Sequence, residues 1–269
     1  MSNCHRVPSR TFTEALAAFD CRYVYGFSAT PHRADGLTPL IHWHIGPLAH
    51  EVGRRGLEKR GAVLRAVVIP RPTDFATAVE LAPPSYSENY DPGKDYGSYG
   101  GLVRELTMDR ERNLMIAGDM VRESRNGTCL VITDRKGHAL ELAGMVRGLG
   151  VACECLTGDS EDRAGIVARV RAGKVRAVAA TAQLIGEGFD CRELCGLFLA
   201  MPVKAGRTEA GGEATRLIQY LGRVLRPAPG KEFAVVYDYY DPGVPVLMRA
   251  WRSRLREYKK LGWEVRGNG

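Results

Sequence analysis

The sequence contains no long hydrophobic run. None of its apolar stretches approaches the roughly eighteen residues that a membrane-spanning helix requires. The first thirty residues carry charges at Arg6, Glu14 and Asp20 and lack the continuous apolar core of a secretory signal peptide. The absence of both features predicts a cytoplasmic protein that makes no membrane contact.

Cysteine spacings typical of a structural zinc site are also absent. The chain has seven cysteines, an odd number. Cys153 and Cys155 are separated by one residue, and Cys191 and Cys195 by three, so neither pair has the two-residue separation of a zinc ribbon. We therefore expect reduced thiols with structural roles rather than a disulfide framework.

Histidines do not supply the missing ligands. His42 and His44 fall on a predicted helix, where residues two positions apart point in different directions, and His50 lies beyond that helix. Because a zinc site needs at least about three converging ligands, the sequence predicts no metal site.

A phosphate-binding loop of the form GxxxxGK[ST] is missing as well. Gly-Lys occurs at 93–94, 173–174 and 230–231, and the next residue is Asp, Val or Glu in these three places, never Ser or Thr. A self-sufficient nucleotide site of this type is therefore excluded for this sequence.

What is present is an ordinary globular composition with a basic excess. The 269 residues suffice for one large domain or two modest ones, and 45% of them are hydrophobic. Lys and Arg number 38 against 31 Asp and Glu, a net charge of +7. This balance mildly favours a polyanionic partner, although charge alone does not establish nucleic-acid binding.

From residue 128 onward, short apolar runs alternate with helical patterns, which is typical of βαβ units and a mainly parallel sheet. Asp159 or Ser160 can cap a helix that ends at Gly173. The other predicted elements are strands at 129–133, 151–156, 176–180, 197–201 and 233–239, and helices at 137–149, 215–221 and 244–260.

The preceding part of the chain has fewer elements. Residues 1–75 predict helices near 9–19 and 35–44 and strands near 23–29, 48–52 and 64–70. So few strands make only part of an α/β domain, so we expect one exposed side that associates with other surfaces. Residues 82–101 are rich in Pro, Gly, Ser and Tyr and predict a loop or linker, followed by a helix at 102–124.

Two arginines stand out in the segment QYLGRVLRP. Arg223 and Arg226 are three residues apart, which places both heads on one side of a short helix's end. A guanidinium group is planar and permanently charged, so it can bind a phosphoryl oxygen or act as an arginine finger. For an isolated RxxR, a plain surface pair would be the better interpretation.

The context of this arginine pair favours the functional interpretation. Gly186, Gly188 and Asp190 follow a predicted strand, where glycines allow close approach to a ligand and the carboxylate can accept from a ribose hydroxyl. Near the start, Phe27 to Pro31 reads as a strand end followed by small hydroxyl residues. Strand ends are the usual ligand contacts of open α/β sheets.

Taken in this order, the segments resemble the superfamily-two helicases and translocases, particularly the bacterial and phage DEAD/DEAH-type helicases related to the type III restriction subunit. Residues 28–31 (SATP) are similar to their motif III, 181–190 to motif V and 219–226 to motif VI, QxxGRxxR. Residues 131–135 are similar to motif IV, and 156–158 to the segment that grips the backbone of the bound strand.

The resemblance implies an α/β fold with a RecA-like, mainly parallel sheet flanked by helices, preceded by a partial second RecA-like domain. In that family two such domains clamp ATP between them. The implied boundaries are 1–75 for the partial first domain, 76–127 for a linker and connecting helix, and 128–269 for the C-terminal RecA-like domain.

The resemblance also implies roles for individual residues. The implied sets are Arg223 and Arg226 as catalytic arginine fingers; Gln219, Gly188 and Asp190 at the nucleotide; Thr157, Gly158 and Thr181 at the nucleic-acid backbone; and Ser28 and Thr30 in coupling nucleotide state to domain closure.

One departure from the family is large. Where motif II places DExH or DECH, this sequence reads Ser2-Asn3-Cys4-His5, so both acids that would hold Mg²⁺ and orient water are replaced. ATP and Mg²⁺ are implied for the complete enzyme, and we expect neither to be bound tightly by this chain.

The chain is therefore expected to be the C-terminal part of an ATP-dependent DNA helicase or translocase that does not hydrolyse ATP alone. It would be a piece of a longer helicase, or a stand-alone piece that needs an N-terminal RecA-like domain or a partner subunit. The alternative is a non-enzymatic module that binds nucleic acid or protein and has lost the nucleotide machinery.

Overall fold

The fold is given by a computed structural model that describes residues 4, 9–28, 37–82, 96–182, 191–203, 217, 220–222 and 224–267. In chain order the elements are α1 (Arg10–Ala17), α2 (Thr38–Ile45), α3 (Arg54–Lys59), β1 (Arg65–Pro72), α4 (Tyr99–Met108), α5 (Arg110–Glu123), β2 (Thr128–Thr133), α6 (Lys136–Gly148), β3 (Cys153–Leu156), α7 (Arg163–Arg171), β4 (Ala177–Thr181), β5 (Leu194–Leu199), β6 (Phe233–Tyr240), α8 (Pro245–Lys260) and β7 (Glu264–Val265).

The seven strands form one sheet with the order β3-β4-β2-β5-β6-β1-β7. Every pairing between these strands is parallel. Parallel neighbours need crossover connections, which explains why helices separate the strands in sequence and cover the faces of the sheet. The predicted α/β fold with a RecA-like, mainly parallel sheet is confirmed.

Both faces of the sheet are buried. All six residues of β2 are buried, as are six of the eight residues of β6, which are apolar or aromatic except for Asp238. On one face α5 and α6 pack through side chains such as Ile116 and Leu142; on the other, α7 and α8 pack through Ile166 and Trp251. This double cover holds the ends of the strands in fixed positions.

Helix boundaries follow local chemistry. Gly150 and Gly173 adopt positive φ values of 87° and 68° after α6 and α7, as expected for residues that end helices. The predicted cap of α7, Asp159 or Ser160, is wrong: Asp162 caps this helix, accepting a hydrogen bond from Gly165 N at 2.9 Å. Asp109 caps α5 in the same way and divides the helix predicted at 102–124 into α4 and α5.

The strand predicted near 64–70 forms as β1, but its place differs from the expectation. It pairs with β6 over eight residues, from Arg65 opposite Phe233 to Pro72 opposite Tyr240. Ala66 and Val68 are buried, so both the backbone and the side chains of β1 belong to the sheet of the C-terminal region. The residues that build this sheet therefore begin at 65 and not at 128.

Residues 9–52 form two of the predicted helices but, where they are described, none of the predicted strands. α1 and α2 form as predicted, but the strands expected at 23–29 and 48–52 do not form in the described residues. There, Phe27 O accepts a hydrogen bond from Cys4 N at 3.2 Å. A strand without neighbours has no ladder of hydrogen bonds to stabilise it. The large hydrophobic residues exposed here are Phe12, Phe19, Tyr23, Tyr25, Phe27, Leu37, Trp43, Leu48 and Val52.

Two further expectations concern thiols and membranes. All seven cysteines are free, as expected for reduced thiols. Within the described part of the chain, no helix combines the length and the apolar character needed to cross a membrane.

Candidate nucleic-acid interface

Three threonines end adjacent strands at the carboxyl edge of the sheet. Thr133 ends β2 and lies opposite Thr181, which ends β4. Leu156 at the end of β3 lies opposite Ala180, so Thr157 follows at the same level. Because all these strands run in parallel, their carboxyl ends meet at one edge, the usual ligand side of an open α/β sheet. Two of the residues predicted to touch nucleic acid, Thr157 and Thr181, are thus brought together.

The residues at this edge differ in accessibility. Thr157 is 5% exposed, and its N–H donates to Ser160 Oγ at 2.9 Å, so it shapes the turn after β3. Gly158 in that turn is exposed, and Thr181 is half-buried. Gly158 and Thr181 therefore present the surface that a backbone phosphate can reach, with Thr157 behind them.

Cations flank the edge. Asp134, Arg135 and Lys136 form an exposed turn between β2 and α6. Lys136 forms an ion pair with Asp159, which ties this turn to the loop that contains Gly158. The interaction with Lys136 lowers the pKa of the exposed Asp159 carboxyl. The N-terminus of α6 adds a partial positive charge, so the edge suits an anionic ligand.

The sequence interpretation missed the buried residues His138 and Asn113, which lie behind this turn. His138 on α6 is 2% exposed and contacts Thr133 Oγ1 through Nδ1 at 2.9 Å and Asn113 Oδ1 through Nε2 at 2.8 Å. Burial, together with the nearby charge of Arg112, lowers the pKa of His138 to about 3. The ring is therefore neutral at physiological pH. Its only sequence signal is a histidine five residues after the end of a strand.

Ion pairs under the same edge are structural. Arg254 on α8 donates from Nη2 and Nε to Asp238 Oδ1 and Oδ2, both at 2.8 Å, and Tyr258 OH donates to Asp238 Oδ2 at 2.6 Å. Arg112 Nε pairs with Asp241 at 2.9 Å in an equally buried position. Burial raises the pKa of Tyr258 well above its usual value, with the charge of Asp238 adding to the effect.

The outer face of α8 is basic. Its apolar stripe docks through Trp251, whose ring stacks on Tyr240 at 4.7 Å. Of the basic residues of this helix, the sequence interpretation did not single out the buried Arg254. The exposed ones are Arg249, Arg252, Arg256, Lys259 and Lys260.

The second predicted finger lies at the opposite edge of the sheet. The described residues 217, 220–222 and 224 are helical, and Arg226 follows them in a half-buried position. Leu64 N, just before the start of β1, donates to Leu225 O at 2.8 Å, which places this turn at the amino ends of the strands. Arg226 and the three threonines are therefore on different sides of the domain.

Lys231 holds the turn that carries Arg226. Its Nζ donates to Val224 O at 2.5 Å, to Arg226 O at 3.0 Å and to Arg192 O at 3.4 Å. Burial lowers the pKa of Lys231 to about 8, against the opposing influence of Cys195 and other nearby acidic groups. The ammonium group thus joins the end of the arginine-bearing helix to the segment that follows Asp190. Sequence reasoning had noted this lysine only as part of a Gly-Lys pair.

Of the remaining predicted site residues, Ser28 lies in the described part of the chain and the others do not. Ser28 is half-buried directly after the Phe27 bridge. The residues that lie outside the described part of the chain are Thr30, Gly188, Asp190, Gln219 and Arg223, together with Ser2 and Asn3.

The side chains that could bind a metal ion do not form a cluster in the described part of the chain. Among the described residues, no three His, Cys, Asp or Glu side chains converge on a point where a metal ion could be held. At the two positions that replace the motif II acids, Ser2 and Asn3 offer no carboxylate. Within the described part of the chain, the side chains therefore offer no ready-made cluster of ligands for Mg²⁺.

Comparison with known proteins gives this geometry its class. A protein of Acanthamoeba polyphaga mimivirus, named as the ATP-dependent RNA helicase L396, is 21% identical over 270 residues, covering 97% of this chain and 46% of that protein. A fragment structure described as an HsdR subunit of a type I restriction enzyme from Vibrio vulnificus YJ016 is 17% identical with a TM-score of 0.66, covering 97% of this chain and 46% of the other.

Two further solved structures are similar in fold to this chain. Dbp5 of S. cerevisiae, bound to RNA and ADP BeF3, has a TM-score of 0.59 at 10% identity and covers 98% of this chain and 57% of its own. T4 UvsW has a TM-score of 0.55 at 18% identity and covers 76% and 41%. No family model matches the chain.

The class that follows is a protein with a RecA-like α/β fold, and this fold is similar to that of the structures named above. The chain spans about half the length of the relatives it matches.

Proposed function

We propose that this chain is the C-terminal part of an ATP-dependent helicase or translocase and supplies half of a nucleic-acid groove together with arginine fingers. The proposal rests on the composition of the carboxyl edge of the sheet, where Thr181 and Gly158 share one side with the exposed cations Arg135 and Lys136. Phosphates are the ligands that such an edge suits, because small polar groups approach closely and cations neutralise charge.

The nucleotide would be approached from the other side of the domain. Arg226, with Arg223, would stabilise charge on the γ-phosphate, and Gln219, Gly188 and Asp190 would face the same nucleotide. Bound ATP with Mg²⁺ supplies the reactive phosphoryl group in a complete enzyme. This chain contributes positive charge and, through Lys231, the rigidity of the turn that carries it.

ATP turnover needs groups from outside this chain. The missing GK[ST] sequence and the replaced acids leave no pair of carboxylates to hold Mg²⁺. An N-terminal RecA-like domain or a partner subunit would provide both, and Ser28 and Thr30 would transmit its closure. We therefore propose that the chain alone binds nucleic acid, holds ATP only weakly and does not hydrolyse it.

DNA is the proposed polymer, because the resemblance points to the branch of helicases related to restriction subunits. Two of the relatives carry RNA in their names, so RNA is the natural comparison. Contacts limited to phosphates would not distinguish the two, whereas a contact to the 2′-hydroxyl would favour RNA.

The test is a titration of fluorescently labelled single-stranded and duplex DNA, and of single-stranded RNA, with the purified chain over a series of salt concentrations. We expect affinity to fall steeply with salt, because binding releases counterions from the phosphates. Arg135→Ala should weaken binding and reduce the salt slope by about one. Salt-independent binding, or binding equally tight in Arg135→Ala, would contradict the proposed groove.

A non-enzymatic binding module is the second candidate, favoured by the loss of the motif II acids. It would have no use for finger arginines. In the complete enzyme, Arg226→Ala should abolish ATP turnover by removing stabilisation of several kcal/mol, on the order of a thousandfold or more in rate. An assembled complex that never turns over ATP, with or without this change, would favour the module.

A further inference from the structure

A continuous path of hydrogen bonds leads from the interior of the domain to the candidate nucleic-acid edge. Asn113 Nδ2 donates to Thr107 O at 2.9 Å, and Asn113 Oδ1 contacts His138 Nε2 at 2.8 Å. His138 Nδ1 contacts Thr133 Oγ1 at 2.9 Å, and Arg135 N donates to Thr133 Oγ1 at 3.3 Å. The path thus joins α4, α5, α6 and β2 to the exposed turn.

The chemistry of these groups fixes the direction of every hydrogen bond. Because Asn113 Nδ2 donates to a carbonyl, Asn113 Oδ1 faces His138 and must accept the proton of Nε2. The neutral ring then accepts at Nδ1 from the Thr133 hydroxyl. The Thr133 oxygen is left to accept from Arg135 N, so one tautomer and one hydroxyl orientation satisfy all the partners.

The two ends of the path lie in different environments. At the inner end, Thr107 precedes the joint between α4 and α5, and α4 packs through Leu102 and Leu106 against Phe75 and the start of α8. Thr133, Asn113 and His138 are at most 2% exposed. At the outer end Arg135 is exposed, and its side chain makes no capping bond to α6. A rigid interior therefore supports an exposed cation.

We propose that His138 is a positioning residue for nucleic-acid binding: by holding the Thr133 hydroxyl, it fixes the turn at 133–136 in the orientation in which Arg135 meets a phosphate. This inference rests on the proposed function and deepens it, since it assigns a role to a residue that need not touch the ligand. Loss of the His138 contact leaves Thr133 free to rotate and Arg135 free to sample other orientations.

The experiment compares oligonucleotide binding by four variants with that of the wild-type chain, using labelled single-stranded DNA. His138→Gln removes the ring that contacts Thr133 and Asn113, and Thr133→Val removes the hydroxyl that contacts His138 and the Arg135 amide. Arg135→Ala removes the cation, and His138→Gln/Arg135→Ala combines two changes. Ser124→Ala is the matched control, because Ser124 is also buried and loses one hydrogen bond, to Val121 O at 2.8 Å, at the far end of α5.

We expect His138→Gln and Thr133→Val each to weaken binding about three- to tenfold, the range that one lost hydrogen bond produces. Ser124→Ala should leave affinity unchanged. In the Arg135→Ala background, His138→Gln should cause no additional loss, because the turn has no cation left to position. Hydrogen exchange of the Arg135 amide should accelerate in His138→Gln, since that amide loses an ordered acceptor.

Results of three kinds would overturn the inference. Wild-type affinity and wild-type exchange of the Arg135 amide in His138→Gln would show that the histidine holds nothing at the edge. An equal loss of affinity with and without Arg135 would show a purely structural role. If the wild-type chain binds no oligonucleotide, the proposed function itself fails and this inference with it, whereas binding that depends on Arg135 and not on His138 overturns the inference alone.

Discussion

Residues 9–52 and the sheet beginning at residue 65 contain similar aromatic and aliphatic side chains, yet they bury them very differently. Trp43 on α2 is 79% exposed, whereas Trp251 on α8 is 5% exposed and stacks on Tyr240. Tyr23, Tyr25 and Phe27 alternate as in a strand, but the described residues 9–28 contain no strand of several residues. β6 has the same character and lies between β5 and β1. The difference shows that pattern alone is insufficient and that neighbours complete an element.

The test with the largest expected effect replaces one tryptophan by alanine in each of the two regions. Trp251→Ala should lower the free energy of unfolding by about 3–5 kcal/mol, because it opens a cavity among Tyr240, Tyr258 and Arg254. Trp43→Ala should change it by less than about 0.5 kcal/mol. Urea unfolding followed by circular dichroism measures both, and equal losses would show that residues 9–52 have a core of their own.

A second test concerns the polar part of the core. Asp238→Asn leaves Arg254 as a buried cation without a charged partner and should cost about 3 kcal/mol of unfolding free energy. The matched control is Glu264→Gln, which breaks the exposed ion pair with Arg266 and should leave the unfolding transition close to that of the wild type. Chemical denaturation distinguishes them, and a tolerated Asp238→Asn would mean that water already solvates Arg254.

A third test uses pH. The folded-state pKa of His138 is lowered to about 3, below the unfolded value of about 6.5, so the unfolded chain binds more protons between these values. The contribution of the neutral His138 ring to the free energy of unfolding is complete above about pH 6.5 and falls as the pH decreases. Between pH 6.5 and 5 the wild-type chain should lose about 1.5 kcal/mol more unfolding free energy than His138→Gln.

The control for this pH dependence is Ser124→Ala, which removes a buried hydrogen bond to Val121 O but no titratable group. It should leave the slope of stability against pH as in the wild type. If His138→Gln and the wild type have parallel pH profiles, the His138 ring is charged or accessible in the folded chain, contrary to the hydrogen-bond path.

The smallest expected effect compares helix caps. Asp162→Ala removes the hydrogen bond to Gly165 N at the start of α7 and should cost about 1 kcal/mol. Ser9 precedes α1 but makes no side-chain capping bond, so Ser9→Ala should cost only a few tenths of that amount. Thermal melting of the two variants provides the comparison, and similar losses would mean that α1 is capped in solution.

Much of the sheet was predictable because its strands are continuous apolar runs and its helices repeat at three- and four-residue spacing. β2, β4, β6, α6 and α8 lie within one or two residues of their predicted bounds. The partner of β1 was not predictable, since RAVVIP specifies burial on both faces but not which strand lies beside it. The two strands predicted in the N-terminal region do not form in the described residues, because a strand pattern does not reveal which neighbours are available to pair with it.

The position of three candidate residues at one edge of the sheet was predictable from the motifs that contain them. Thr157, Gly158 and Thr181 follow strand ends, and the sheet brings those ends together. His138 and Lys231 were not found, because their roles depend on side chains and carbonyls that are distant in sequence or hidden in turns. Arg254 was likewise indistinguishable from the exposed arginines of α8, since helical spacing alone does not locate Asp238.

The central claim is that this chain offers a nucleic-acid edge and an arginine-bearing turn but not a complete ATP site. Its most direct test is ATP hydrolysis by the purified chain, without nucleic acid and with single-stranded or duplex DNA, beside Arg226→Ala. The account predicts no turnover above background in any of these conditions. Turnover that DNA stimulates and Arg226→Ala abolishes would contradict it, because other groups of this chain would then replace the phosphate loop and the motif II acids.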